Sequence, residues 1–133
     1  MLRYLLDTNI CAFYFRNQFK IADKLVEVGL SKCAISEITL AELKFGIERS
    51  KYREENSAKL DLFTEFVTTI PLTFSISLFA KEKARLISEN KIIDDFDLFI
   101  GTTAVIHNLI MVTENIDHFS RINNILIENW AVR

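Results

Sequence analysis

Acidic side chains recur in this sequence where an apolar run has just ended. "YLLDTNI" (4–10) passes from three large apolar residues into Asp7, Thr8 and Asn9. "SEITLAELKFGIERS" (36–50) carries Glu42 six residues after Ser36. Asp97 lies in "IIDDFDLFIG", ahead of a mostly apolar stretch, and "LIMVTENIDHF" (109–119) runs into Thr113, Asn115 and Asp117. Carboxylates gathered in one pocket repel each other unless cations compensate. Hard divalent ions with oxygen ligands, Mg²⁺ or Mn²⁺, suit such a pocket and keep positions open for phosphate and water. The chemistry that follows is attack of an activated water on a phosphodiester, with the developing charge neutralised.

Each of these residues also has a purely structural explanation. Asp7 can cap the helix that follows it. Thr39-Leu40-Ala41-Glu42 fits the S/T-x-x-E capping box. Asp94, Asp95 and Asp97 suit the first turn of a helix, where acids complement the dipole. Asn115 suits a turn and Asp117 an N-cap. Glu42 fits its structural explanation least, because apolar periodicity already begins at Ile38. That places it inside a helix beside Leu40, Ala41 and Leu43, where a lone carboxylate is costly. His107, late in an apolar helix, reads as a packing or capping residue, and His118 has no matching ligand spacing.

Alternating strands and helices must position these groups. Tyr4–Leu6 and "LIMVT" (109–113) up to its final Thr are continuous apolar runs, as strands buried on both faces are. "KCAIS" (32–36) and "LTFSI" (72–76) read as further strands, and "ILIEN" (125–129) as an edge strand. Helical spacing covers 8–15, 20–30, 37–50, 57–70 up to Pro71, 78–90 and 94–108. Strands separated by helices pair in parallel through right-handed crossovers. Asp7, Ser36 and Thr113 then share one edge of the sheet, where open α/β sheets bind ligands. The expectation is one three-layer α/β/α domain over residues 1–133, with four or five mainly parallel strands.

Composition narrows the partners. Half the residues are hydrophobic and eleven are Phe, which fits a packed domain rather than a disordered chain. The net charge of −2 and pI near 5.7 argue against coating nucleic acid through one broad basic face. They leave room for an enzyme that grips a small part of an RNA. Basic runs in "ERSKYR" and "AKEKAR" read as solvated helix faces. Cys11 and Cys33 sit among apolar residues and read as reduced core thiols of a cytoplasmic protein. Neither a signal peptide nor a membrane-spanning run is expected.

Four segments in order make the chain resemble the PIN-domain ribonucleases, and among them the VapC toxins of bacterial toxin–antitoxin pairs. They are "LLDTNI" (5–10), the T-L-x-E-L-x-x-G context within "SEITLAELKFGIERS", "FDLFIGTTA" (96–104) and "LIMVTENIDHF". The resemblance implies Asp7, Glu42 and Asp97 as metal-holding catalytic carboxylates. Asn115 matches a fourth position that is Asp in many relatives, with Asp117 as the alternative. Thr8, Asn9 and Thr113 match supporting polar positions. The resemblance further implies a Mg²⁺- or Mn²⁺-dependent endoribonuclease cutting tRNA or rRNA, a small VapB-type antitoxin, and a homodimer. A haloacid-dehalogenase-type phosphatase would need Asp where Asn9 stands, and a receiver domain would need an Asp that "PLTFSIS" does not offer. The remaining alternative is a catalytically weak PIN-like module acting through protein or RNA binding.

Overall fold

Successive residues of a β-strand face opposite sides of a sheet, and here both sides are apolar. In β1 (Tyr4–Leu6), Tyr4 and Leu6 join one buried cluster while Leu5 joins another. In β2 (Cys33–Ser36), Cys33 and Ile35 join the first cluster and Ala34 the second. The computed structural model describes residues 1–133, in which a central sheet is thus covered on both faces. The remaining strands are β3 (Thr68–Ile70), β4 (Ile110–Val112) and β5 (Leu126–Glu128). All five pair in parallel in the order β3-β2-β1-β4-β5.

Helices α1 (Thr8–Phe15), α2 (Ile21–Val28) and α4 (Arg53–Phe66) contribute Ile10, Leu25, Leu60 and Phe63 to the first cluster. Helices α5 (Ile76–Ser88), α6 (Asp95–Ile106) and the short α7 (Ile116–Phe119) contribute Leu86, Ile100 and Phe119 to the second. Between β2 and α4 runs α3 (Glu37–Glu48), started by Ser36, whose Oγ accepts from the Ile38 N–H at 2.9 Å. The three-layer α/β/α arrangement is as expected, with five strands, all parallel. Cys11 and Cys33 are both buried and unpaired.

One strand lies elsewhere than the sequence pattern implies. "LTFSI" is not a strand: Leu72–Ser75 form a 3-10 turn that leads into α5. The strand is Thr68–Ile70, which the pattern assigned to the end of the preceding helix. Helical spacing of Leu60, Phe63, Phe66 and Val67 runs straight into it, so periodicity shows no boundary. β-branched Thr68, Thr69 and Ile70 favour the pleated conformation once β2 offers a partner edge.

The "AKEKAR" run is likewise not wholly a solvated face. Glu82 is buried, and it accepts from Arg85 Nε at 2.8 Å and from the Asn123 N–H at 2.7 Å. Arg85 Nη2 also donates to the Arg121 carbonyl at 2.7 Å. The pair ties α5 to the chain that follows α7. With the Arg85 guanidinium beside it, the Glu82 carboxyl is held below the usual range despite its burial.

Helix α7 reaches α6 because Gly101 has no side chain. A Cβ there would lie 2.3 Å from Ile122 Cδ1 and 3.1 Å from a Phe119 ring carbon. Both contacts are buried, so neither side chain can swing into solvent. Gly101→Val is expected to destabilise the fold by about 1–3 kcal/mol through overpacking. Urea denaturation reads the loss, and an unchanged midpoint would show that α7 can shift at little cost.

Candidate active site

The strand order reverses around β1: β2 and β3 lie to one side of it, β4 and β5 to the other. Ligands of open α/β sheets bind in the crevice at such a switch point, beyond the carboxyl ends of the strands. Asp7 follows β1 there and its N–H continues the ladder by donating to the Val112 carbonyl at 2.9 Å. Thr113 follows β4 beside it. The Thr113 hydroxyl donates to Asp7 Oδ2 at 2.7 Å and accepts the Asn115 N–H at 2.9 Å. Asp7 Oδ1 accepts the Thr8 N–H at 2.8 Å, so the residue is both the N-cap of α1 and a member of the cluster.

Glu42 comes in from α3. It stands in the helix's second turn, away from the capping position that Ser36 fills, so the capping-box explanation fails. Its Oε1 accepts the Thr8 hydroxyl at 2.6 Å, and Thr39 Oγ1 lies 3.1 Å from the same hydroxyl. Asp97 comes from the first turn of α6, where three neighbouring acids divide their tasks. Asp94 caps the helix by accepting the Phe96 and Asp97 N–H groups at 3.0 and 3.4 Å. Asp95 pairs with Lys83 at 2.9 Å. Asp97 is left to face Asn115, whose Nδ2 lies 3.3 Å from Asp97 Oδ2.

The two candidates for the fourth position separate clearly. Asn115 is in the cluster. The Asp117 side chain is 86% exposed and pairs with Arg121 at 3.3 Å, outside it. His118, to which sequence spacing assigned no role, is brought in instead. Its Nδ1 lies 2.9 Å from Asn115 Nδ2 and 3.9 Å from Asp97 Oδ2. Asn115 Nδ2 can donate to Nδ1 only when that nitrogen is bare, as in the tautomer with its proton on Nε2. The available signal was the i, i+3 spacing from Asn115, which puts both on one face of even a single helical turn. His107 ends α6 as its C-cap, with Nε2 buried and unpaired, away from these acids in the sheet's second layer.

Burial dominates the electrostatics. It pushes the Asp7 carboxyl up to about 6, with the hydrogen bonds from Thr113 and Thr8 opposing and the charges of Asp97 and Glu42 adding to the rise. Asp97 is also raised, by burial first and then by Asp94 and Glu42, with His118 opposing. The three acids therefore feel one another, although no three groups converge on a single point at coordination distance in this conformation. Their oxygen donors fit a hard divalent ion. Asn9 Oδ1, two residues after Asp7, is buried without a hydrogen-bond donor. An acidic groove that raises its own carboxyl pKa values gains by binding positive charge.

Residues 4–125 match the PIN domain family model. The chain belongs to the PIN-domain family. Within it, the chain groups with the VapC ribonucleases. It is 35% identical to ribonuclease VapC2 of Rickettsia felis, across 96% of this chain and 97% of that protein. The tRNA(fMet)-specific endonuclease VapC of Shigella flexneri is 30% identical across 98% of this chain and 100% of its own length. Among solved structures, DNA-bound VapBC from Salmonella typhimurium superposes with a TM-score of 0.91 at 32% identity. It covers 98% of this chain and 100% of its own.

The raised Asp7 pKa sets a pH dependence for this PIN domain free of metal. A carboxyl whose folded pKa lies above its unfolded value favours the fold below about pH 4. That contribution is lost as pH rises through about 6. Asp7→Asn is therefore expected to stabilise the chelator-treated protein by about 2–3 kcal/mol at pH 8 and to change little near pH 4. Thermal melts in EDTA at the two pH values check it. Equal melting temperatures at pH 8 would show that the buried carboxylate costs the fold nothing.

Proposed function

We propose that this chain is a metal-dependent endoribonuclease toxin that cleaves structured RNA, tRNA or rRNA, and is neutralised by a small VapB-type antitoxin. The observation that carries the reading is the meeting of Asp7, Glu42 and Asp97, from three separate elements, at the switch point of the sheet. These three residues would hold Mg²⁺ or Mn²⁺, and residues 1–133 would act as a single PIN unit. When bound, the ion supplies the Lewis acidity that activates water and the positive charge that a cleaving phosphodiester requires.

The chain's own residues do the positioning. Thr113 orients Asp7 through its 2.7 Å hydrogen bond, and Thr8 fixes Glu42 through its 2.6 Å bond. Asn115 steadies Asp97 while adding no further negative charge. Asn9, two residues after Asp7, would supply a further oxygen, its Oδ1 being buried and unpaired, and Asp117 instead pairs with Arg121. The tRNA substrate is supported by the Shigella flexneri relative's name, and the antitoxin by the VapBC complexes among the similar structures. The homodimer that the resemblance implies is part of the same reading. No helix is long and apolar enough to cross a membrane. The open spacing of the acids favours, as a second reading, a module of weak activity that works by binding.

Purified protein incubated with total cellular RNA in Mg²⁺, Mn²⁺ or EDTA separates the two. Discrete fragments are expected with metal and none with EDTA. Asp97→Asn is expected to slow cleavage by about 100-fold or more, because it withdraws a charge from the ion site. Equal fragment patterns in EDTA, or an Asp97→Asn protein as fast as the wild type, would contradict the mechanism. Absence of cleavage under every metal would favour the binding module.

A further inference from the structure

Between α1, α3 and α4 lies a pocket of about 400 Å³, within the size range of small-ligand sites. Thr8 and Glu42 are among its walls, so it opens directly from the candidate active site. It also reaches Ser50, two residues past the end of α3, so it runs from Glu42 to the far end of that helix. There Asn56 Nδ2 donates to Ser50 Oγ at 3.1 Å, leaving the amide oxygen and one N–H to face an incoming group. Phe15 forms part of the wall and is held edge-on against Phe63, 5.2 Å between ring centres.

Two features of this pocket have no purpose within the fold. The first is Gly46, which sits in the body of α3, where glycine is less stable than alanine. Its backbone needs no positive φ, and a Cβ would meet nothing within 4 Å. Gly101 makes room for Phe119 and Ile122; Gly46 makes room for no residue of this chain. A glycine of that kind lets a ligand approach the backbone closely. The second is a pair of cations at the pocket, Arg16 and Lys59, neither within ion-pair distance of a carboxylate.

We infer that this pocket is the subsite for an unpaired nucleotide flanking the scissile phosphate of the RNA. The inference rests on the nuclease reading above and adds where the substrate strand lies. A nucleobase would lie against Phe15 and the open face of Gly46, its edge or ribose hydroxyl meeting Asn56 and Ser50. Arg16 and Lys59 would meet its phosphates. Single-stranded RNA is recognised by splayed bases on aromatic and flat surfaces together with local cations. A 400 Å³ pocket admits one such nucleotide and not a duplex. Two local cations also reconcile RNA binding with a chain of net charge −2.

The test is titration of the four nucleoside 5′-monophosphates into ¹⁵N-labelled protein in Mg²⁺, followed at the Gly46 backbone and Asn56 side-chain amides. Saturable shifts at both are expected for at least one nucleotide and not for inorganic phosphate. Gly46→Leu should abolish them while melting at or above the wild-type temperature. Lys59→Gln, at an exposed position, should weaken binding severalfold and raise the KM for RNA with little change in kcat. Nucleotide shifts that survive Gly46→Leu, or that leave Gly46 and Asn56 unmoved, would overturn the inference. So would a Gly46→Leu protein that cleaves RNA normally but no longer binds an antitoxin, since the pocket would then belong to a protein partner. Mononucleotide binding needs no turnover. Loss of the nuclease reading alone would therefore leave these shifts in place, and loss of the shifts alone would leave RNA cleavage in place.

Discussion

A carboxylate is buried at the centre of this molecule, and the surrounding elements are arranged to tolerate it. Asp7 leaves β1 where both faces of the sheet are apolar, so water cannot stabilise its charge. Two donors compensate in part: the Thr8 N–H at the start of α1 and the Thr113 hydroxyl at the end of β4. The first is local to the helix start, whereas the second depends on the β1–β4 pairing that aligns Leu6 with Val112. A slip in that register would leave the carboxyl without Thr113 and the Asn115 turn without its anchor.

The same economy of contacts extends outward. Thr113 links Asp7 to Asn115, Asn115 links Asp97 to His118, and Thr8 links Asp7 to Glu42. None of these links neutralises the acids; each only orients one. The acids are thus held in orientation without being neutralised, so the groove favours positive charge. Stability is supplied from further away. The Glu82–Arg85 pair holds the chain beyond α7, and Gly101 lets α7 lie close to α6. These contacts keep Asn115 near Asp97 without adding charge to the groove.

The contrast between the two helical glycines is instructive about how function is written into a stable fold. Gly101 is surrounded, and its missing side chain is filled by Phe119 and Ile122. Gly46 is unsurrounded, and its missing side chain enlarges a pocket that meets the acids. Both sit in helices of twelve residues, and sequence makes them look alike. Only their neighbours tell a packing requirement from a vacancy suited to a ligand.

By itself the sequence determined the class of fold. Apolar runs alternating with helical periodicity imply a parallel sheet, and parallel pairing sends Asp7, Ser36 and Thr113 to one edge. Singling out Glu42 and Asp97 beside Asp7 took the resemblance to the PIN-domain ribonucleases, because each also suits a purely structural place in its helix. Local pattern could not find β3, because its apolar spacing continues that of α4 and only the edge of β2 makes Thr68–Ile70 a strand. Nor could it rank Asn115 over Asp117, two residues apart, since which one faces inward depends on how α7 docks on Gly101. His118 and Glu82 each have a partner three residues away, Asn115 and Arg85, but the contacts that give those pairs a place, with Asp97 and Asn123, span 21 and 41 residues. Spacing along a chain records what a helix or strand brings together, whereas contacts between elements exist only once the sheet has set their places.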